Sequence, residues 1–370
     1  MKTVPTMVGS GQSSMLAARW YGRKDIRVVE VPVPTDPPPG WLIARVDACG
    51  LCGTDIEEYL HGPLLTPVDQ PFPLTGAIAP LTLGHELVGT VTEVVGDGVK
   101  LRPGTRVAIE GNLFCGECEW CKAGRHNICP FSGQLGQRTD GGLAQFVAAP
   151  EYCCIPYADE LPVEQAALAE PLSVAVRAVR RGGIGLGSRV GVVGGGTIGL
   201  LTAQVARIAG ADTVLLVEPH PGRRALASSF GAAVAVTPDE AEAAAGPATG
   251  GHGLDVVLDC AGARAATPLA IRLTRRGGRT VLVAIYPGDL TFDPLDFLGS
   301  EKELVASMSH SYTSDYPDAV RLLETGRVDV RPLITDRVAL PDVVKAGFEA
   351  LVAEPQNHLK VVVDPRQPDA

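Results

Sequence analysis

The stretch VGVVGGGTIG, residues 190–199, decides how the chain is read. Val190–Val193 has the length and β-branched character of a short buried strand. Gly194-Gly195-Gly196-Thr197-Ile198-Gly199 follows at once, and Thr197–Ala209 continues with a helical pattern. The spacing G-x-G-x-x-G is weak alone, but between a strand and a helix it is the dinucleotide-binding fingerprint. In that setting Gly194 permits the tight turn, Gly196 lets the backbone approach a pyrophosphate, and Gly199 allows close helix–strand packing. The phosphates sit over the helix N-terminus at Thr197 and Ile198, on free N–H groups and the positive dipole end. Nineteen residues beyond Gly199 the next strand ends in Glu218. A carboxylate there accepts hydrogen bonds from both ribose hydroxyls and repels a 2′-phosphate, which favours NAD over NADP. Arg223 and Arg224 argue the other way, because guanidinium groups bind phosphate, and Arg223 is kept as a cofactor contact.

Downstream, the apolar runs Thr213–Val217, Asp255–Leu258 and Thr280–Ala284 alternate with helical patterns such as Arg223–Phe230. That alternation implies βαβ units and a parallel sheet, hence an α/β fold with a doubly wound, Rossmann-type domain. The Ala-rich segment Asp239–Thr249 reads as a surface helix. Upstream, Arg27–Val33, Trp41–Asp47, Val88–Val95 and Arg106–Ile109 are short Val- and Ile-rich strands bounded by turn residues. A Pro-rich loop joins Tyr59 to Leu83, and loops of that length tend to be functional. The tail adds a helix-like DAVRLLETG, residues 318–326, and a closing strand, Leu359–Val363.

At 370 residues, with 45% hydrophobic content and a formal net charge of −10, the chain has the bulk for two globular domains. No general basic surface is expected, which excludes nucleic acid as the partner. The first fourteen residues lack the apolar core of a secretory signal and read as a flexible extension. The uncharged stretch 190–206 contains five glycines and falls short of the about 20 apolar residues of a membrane span. Nine cysteines are too few for a disulfide scaffold and are clustered, which points to metal and a cytoplasmic location.

Cys115-x2-Cys118-x2-Cys121-x7-Cys129 places four soft ligands in a polar loop, as a closed tetrahedral zinc site requires. An iron–sulfur cluster uses similar runs, and spacing leaves both open. A second, dispersed set combines Cys52, His85 and Glu170, with Glu86 beside His85. A thiolate, an imidazole and a carboxylate leave the open fourth position of a catalytic zinc. Cys153, Cys154 and Cys260 read as packing thiols. His126, His220, His252, His310 and His358 read as solvated.

CGLCGTD (49–55), GHELVGTV (84–91), the four-cysteine lobe, DGGLAQFV (140–147), ALAEPLSVAVRAVRRGG (167–183) and VGGGTIG (193–199) resemble the zinc-dependent medium-chain dehydrogenase/reductase family. The resemblance covers about Met15 to Val363. It is greatest to the polyol branch of sorbitol and (R,R)-2,3-butanediol dehydrogenases, through EEYLHGP (57–63) and FPLTGAIAPLTLGHE (72–86). It implies a β-rich GroES-like catalytic domain over 15–173 and 313–370, with a zinc lobe at about 112–131, and a Rossmann domain over 174–312. It also implies a structural zinc on Cys115, Cys118, Cys121 and Cys129, and a catalytic zinc on Cys52 and His85 with Glu86 and Glu170 as carboxylate ligands. Thr54 falls where the family places a hydroxyl bonded to the substrate alcohol. The expected activity is reversible oxidation of a secondary alcohol, a 2,3-butanediol-like diol or a polyol, to a ketone with NAD, in a dimer or tetramer. A cyclitol, an aminocyclitol or a sugar-like polyol is the alternative substrate. A zinc-stabilised nucleotide-binding protein without turnover is the non-enzyme alternative. One position departs from the pattern: many relatives carry a histidine five residues after the catalytic cysteine, where this chain has Glu57. Its carboxylate either carries the substrate proton or binds a polar substrate group.

Overall fold

The structure, a computed structural model, describes residues 13–96, 98–285 and 288–366. Most of the expected extension, residues 1–12, lies outside the described residues, and Ser14 already opens the first strand, Ser14–Gly22. The chain divides into two compact units. The first runs to Glu170 and takes back Tyr312–Glu324 and the segment from Leu333; the second holds Pro171–Ser311 and Thr325–Pro332. The stretch 325–332, grouped with the catalytic part in the sequence reading, goes with the second unit. Gln204 explains why: its amide donates to the Asp329 carbonyl at 2.9 Å and accepts the Asp329 N–H at 3.0 Å.

In the second unit six strands form one parallel sheet, in the order Val234–Val236, Thr213–Val217, Arg189–Val193, Leu254–Asp259, Thr274–Leu282, Glu303–Ala306. Strands covered on both faces must be apolar throughout, and Val190, Val192, Val214, Leu215, Leu216, Val257 and Leu258 are fully buried. The chain builds outward on one side of Arg189–Val193 and then crosses to the other. The carboxyl end of that strand is therefore the topological switch point, where such sheets bind ligands. Two apparent simplicities of the sequence disappear. The fifth strand begins at Thr274, because Arg275 turns onto Asp255, which also receives Arg189. The helix Ala241–Thr249 buries Ala241, Ala245 and Thr249, so only part of it is surface.

In the first unit, a seven-stranded sheet runs Cys154–Pro156, Arg106–Ile109, Glu86–Val94, Trp41–Gly50, Lys360–Asp364, Ile334–Ala339, with Phe146–Pro150 paired to Trp41–Gly50. Leu42, Leu87, Val107, Ile109, Val361 and Val363 share its core. The closing strand is thus internal to the sheet. A helix, α1 (Gly53–His61), starts where Trp41–Gly50 ends and buries Asp55, Glu58 and Tyr59. The Glu58 carboxylate accepts N–H groups of Leu64, Leu65 and Thr66 at 2.9–3.3 Å, which fastens the start of the Pro-rich loop. Among the described residues no helix is long and apolar enough to cross a membrane.

A Cβ at Gly199 would lie 1.8 Å from the Gly194 carbonyl oxygen, and Gly194 has φ +103°. Gly199→Ala must therefore push the helix Thr197–Ile208 off the strand. It is expected to cost about 1–3 kcal/mol in denaturant unfolding and to weaken dinucleotide binding in a fluorescence titration. Unchanged stability and affinity would mean that the close approach is not needed.

Candidate active site

Cys52 caps the N-terminus of α1, and its N–H donates to Asp55 Oδ2 at 2.9 Å. That bond fixes Asp55, whose Oδ1 lies 3.4 Å from His85 Nδ1. A histidine oriented by a carboxylate is the arrangement that metal-ligating imidazoles use. His85 itself is buried, in the link that leads into Glu86–Val94. The Cys52 sulfur, a His85 ring nitrogen and a Glu86 carboxylate oxygen all lie within 4.8 Å of one another. Thr54 Oγ1 is 3.7 Å from the Cys52 sulfur. Residues 33 positions apart in sequence thus converge because the strands ending at Gly50 and starting at Glu86 are antiparallel neighbours, with Gly50 facing Glu86.

Glu86 is also the partner of a lysine that the sequence reading passed over. Lys360, buried in the closing strand, donates to both Glu86 oxygens at 2.6–2.7 Å and to the Leu51 carbonyl at 2.9 Å. Its sequence signal was a single cation inside the apolar run Leu359–Val363. Burial lifts the Glu86 carboxyl above the usual carboxylate range, Lys360 opposes that, and Glu170 adds to it. Burial likewise works against a charged Lys360, but Glu86, Cys52 and Glu170 outweigh it and raise its pKa. For His85, burial is overcome by Asp55 and Cys52, and the imidazole is held well above its ordinary range. Negative groups around Cys52 therefore call for cationic charge. Glu170, buried at the start of the helix Ala169–Gly182, acts on this group through its charge but is not part of the tight triad.

The second thiol set also converges. Cys115, Cys118, Cys121 and Cys129 have their sulfurs within 4.8 Å of one another, and Cys115 and Cys129 are 3.5 Å apart. Backbone N–H groups of Glu117 and Cys118 bring the Cys115 thiol down to about 6, while burial pushes Cys121 up to about 12. Four sulfurs this close share their protons unevenly, and a soft dication relieves that by taking all four as thiolates.

Of the dinucleotide residues, Gly194 makes the turn and Gly196 caps the helix Thr197–Ile208 with nothing within 4 Å of where its Cβ would be. Glu218 is buried, with Oε2 accepting the Gly195 N–H at 2.7 Å and Oε1 the His220 N–H at 2.8 Å. The acid thus grips the glycine loop itself. Arg224 donates to the Glu218 and Pro219 carbonyls, and Arg223 is half-buried nearby. Glu57 and His61 stand exposed on α1, His61 Nε2 lying 3.9 Å from Glu57 Oε2. One background expectation is corrected: His310 is buried, with 1% exposure, and not solvated. Its polar neighbours Ser309 and Ser311 hid a position inside the fold, where Ser309 Oγ meets its Nδ1 at 3.3 Å.

The zinc-binding dehydrogenase family matches residues 197–325, and the alcohol dehydrogenase GroES-like domain matches residues 38–159. The (R,R)-butanediol dehydrogenase of Bacillus subtilis strain 168 is 36% identical over 356 residues, covering 95% of this chain and 100% of that protein. Sorbitol dehydrogenase 1 of Saccharomyces cerevisiae is 34% identical over 92% of this chain and 95% of its own length. The crystal structure of 2R,3R-butanediol dehydrogenase from Bacillus subtilis superposes with a TM-score of 0.88 at 35% identity, covering 95% of this chain and 100% of its own. A zinc-binding-dehydrogenase-like protein from Sinorhizobium meliloti 1021, bound to NADP, superposes with a TM-score of 0.85 at 34% identity, covering 96% and 100%.

Removing the lysine leaves a buried carboxylate without its cation. Lys360→Met is expected to lose about 3–5 kcal/mol in urea unfolding, and Lys360→Met with Glu86→Gln to regain much of it. A single variant as stable as the parent would show that the pair is not what seats the closing strand.

Proposed function

On the premise that this chain belongs to the zinc-dependent medium-chain dehydrogenase/reductase family and is an oxidoreductase, we propose that it interconverts a vicinal diol or polyol and the corresponding ketone, with NAD as hydride carrier. The observation that carries the reading is the convergence of Cys52, His85 and Glu86 beside the Thr54 hydroxyl. A thiolate, an imidazole and a buried carboxylate fit zinc. Cys52 and His85 would hold it, with Glu86 and Glu170 as the carboxylates to complete its shell; Cys115, Cys118, Cys121 and Cys129 would hold a second, structural zinc. When bound there, zinc would supply the Lewis acidity that lowers the pKa of an alcohol hydroxyl. Thr54 accepts the alcohol proton while donating its own, and Glu57 is the next acceptor along α1. Asp55 keeps His85 oriented, and Lys360 opposes the burial that would otherwise neutralise Glu86.

Gly194, Gly196, Thr197, Ile198 and Gly199 form the cradle for the pyrophosphate, whose charge meets the N-terminus of the helix Thr197–Ile208. Glu218 takes the ribose hydroxyls and disfavours a 2′-phosphate, with Arg223 beside it. The unit that runs to Glu170 and takes back Tyr312–Glu324 and the segment from Leu333 is assigned to the catalytic domain, and Pro171–Ser311 with Thr325–Pro332 to the dinucleotide domain. None of the nine cysteines is in a disulfide, which suits a reducing cytoplasm. A dimer or tetramer completes the reading by family resemblance. Glu57 supports a second substrate class, because an exposed carboxylate on α1 suits a hydroxyl-rich or amine-bearing ring, such as a cyclitol or aminocyclitol.

Initial rates of NADH formation over the stereoisomers of 2,3-butanediol, sorbitol, xylitol, inositols and aminocyclitols test this directly. One butanediol isomer is expected to give the highest kcat/KM; a cyclitol in that place would transfer the assignment to the second class, and no turnover on any alcohol would overturn both. Cys52→Ser is expected to abolish turnover with the fold intact by circular dichroism, and normal turnover would sink the catalytic zinc. Glu218→Ala is expected to weaken NAD more than NADP in direct titration, whereas an unchanged ratio would remove its ribose role.

A further inference from the structure

We propose that His61, at the exposed end of α1, is the outlet through which the substrate proton reaches water, with Glu57 delivering the proton to it. The proposal rests on the alcohol-oxidation reading above. In that reaction a secondary alcohol and NAD give a ketone, NADH and one proton. The carbinol C–H bond leaves as hydride, so the hydroxyl proton must depart separately as a cation.

Two of the buried acids beside Cys52 each already have a partner. Asp55 accepts the Cys52 N–H and faces His85, while Glu86 is held by Lys360. Helix α1, by contrast, begins at Cys52 and ends exposed at His61. At 100° per residue, Thr54, Glu57 and His61 fall within an arc of about 60°. Asp55, Glu58 and Tyr59 are the residues the helix buries. The outer stripe therefore presents a hydroxyl, a carboxylate and an imidazole in that order, outward from the Cys52 sulfur. Thr54 Oγ1 lies 3.7 Å from that sulfur, and Glu57 Oε2 lies 3.9 Å from His61 Nε2. Neighbours at i, i+3 and i, i+4 have Cβ atoms about 5–6 Å apart, a gap that side chains or one water close.

Each hop balances. Thr54 gives its hydroxyl proton towards Glu57 as it takes the alcohol proton, and the Glu57 carboxylate becomes a carboxylic acid. Glu57 then protonates His61 Nε2, and the imidazolium releases the proton to water, leaving all three residues as they began. Imidazole is the side chain suited to giving up and regaining a proton near neutral pH. The same end of α1 is met by Arg23, whose Nε donates to the Leu60 carbonyl at 2.7 Å, and by Lys24, whose N–H donates to the Tyr59 carbonyl at 2.7 Å. Glu57 and His61 are 62% and 55% exposed. A pair so open to solvent contributes little to stability, so its replacement leaves the fold in place.

The test uses the zinc-loaded enzyme with NAD and its best alcohol, in dilute buffer with and without added imidazole. His61→Gln is expected to lower kcat about tenfold or more with little change in KM, and imidazole is expected to restore most of the loss while leaving the parent unaffected. A pH indicator in a stopped-flow experiment should show proton release lagging behind NADH formation in His61→Gln and keeping pace with it in the parent. Glu57→Gln should slow kcat similarly, and the double variant no further than either. Parent-like kcat and proton release in His61→Gln, or a loss that imidazole does not restore, would overturn the proposal. A parent enzyme inactive on every alcohol would instead remove the reading beneath it.

Discussion

Burying Asp55, Glu86 and Glu170 beside Cys52, with His85 and Lys360 as their partners, is the constraint that shapes the first unit. An unpaired charge in such a place costs several kcal/mol, so the chain must supply a cation with good geometry. It does so from 274 residues away, when Lys360 reaches Glu86. The first unit is discontinuous for this reason as much as for its sheet. The chain leaves at Glu170 and returns to place Lys360–Asp364 between Trp41–Gly50 and Ile334–Ala339, which seats the lysine. Lys360 settles one of these negative groups and His85 another, and what is left over is the demand that a dication meets. The same logic governs the lobe, where one thiol is drawn down and another pushed up because four neighbouring sulfurs cannot all ionise without a cation.

How much of this was legible depends on whether the signal was local. The loop 194–199 was readable because turn, close packing and phosphate approach each demand glycine at a fixed offset, with the strand and helix adjacent in sequence. The four-cysteine lobe was readable for the same reason, since its ligands lie within one loop. Cys52, His85 and Glu86 were nameable through family resemblance, but their convergence depends on the pairing of Gly50 with Glu86, and no spacing rule encodes that register. Lys360 and Glu58 escaped notice because a charged residue in a strand or helix is more often solvated. Both are buried, one by an ion pair and the other by three loop N–H groups. His310 failed the opposite way, its polar neighbours suggesting a surface that the fold covers.

The loop that binds the dinucleotide shows how one side chain can join specificity to architecture. Glu218 was read as a ribose ligand, yet each of its oxygens already holds a backbone N–H, one at Gly195 and one at His220. In the proposed ribose role, the hydroxyls would add to the remaining lone pairs of a carboxylate that is fixed beforehand, so little ordering would remain to be done on binding. The same fixing limits how the site can change. Replacing Glu218 to admit a 2′-phosphate also releases the Gly195 amide, and with it the turn that the phosphates need. Arg224, bound to the Glu218 and Pro219 carbonyls, braces this segment as well. On the proposed role of Glu218, cofactor preference is thus tied to loop stability, and a change of Glu218 would require a new partner for the Gly195 N–H as well as a new charge.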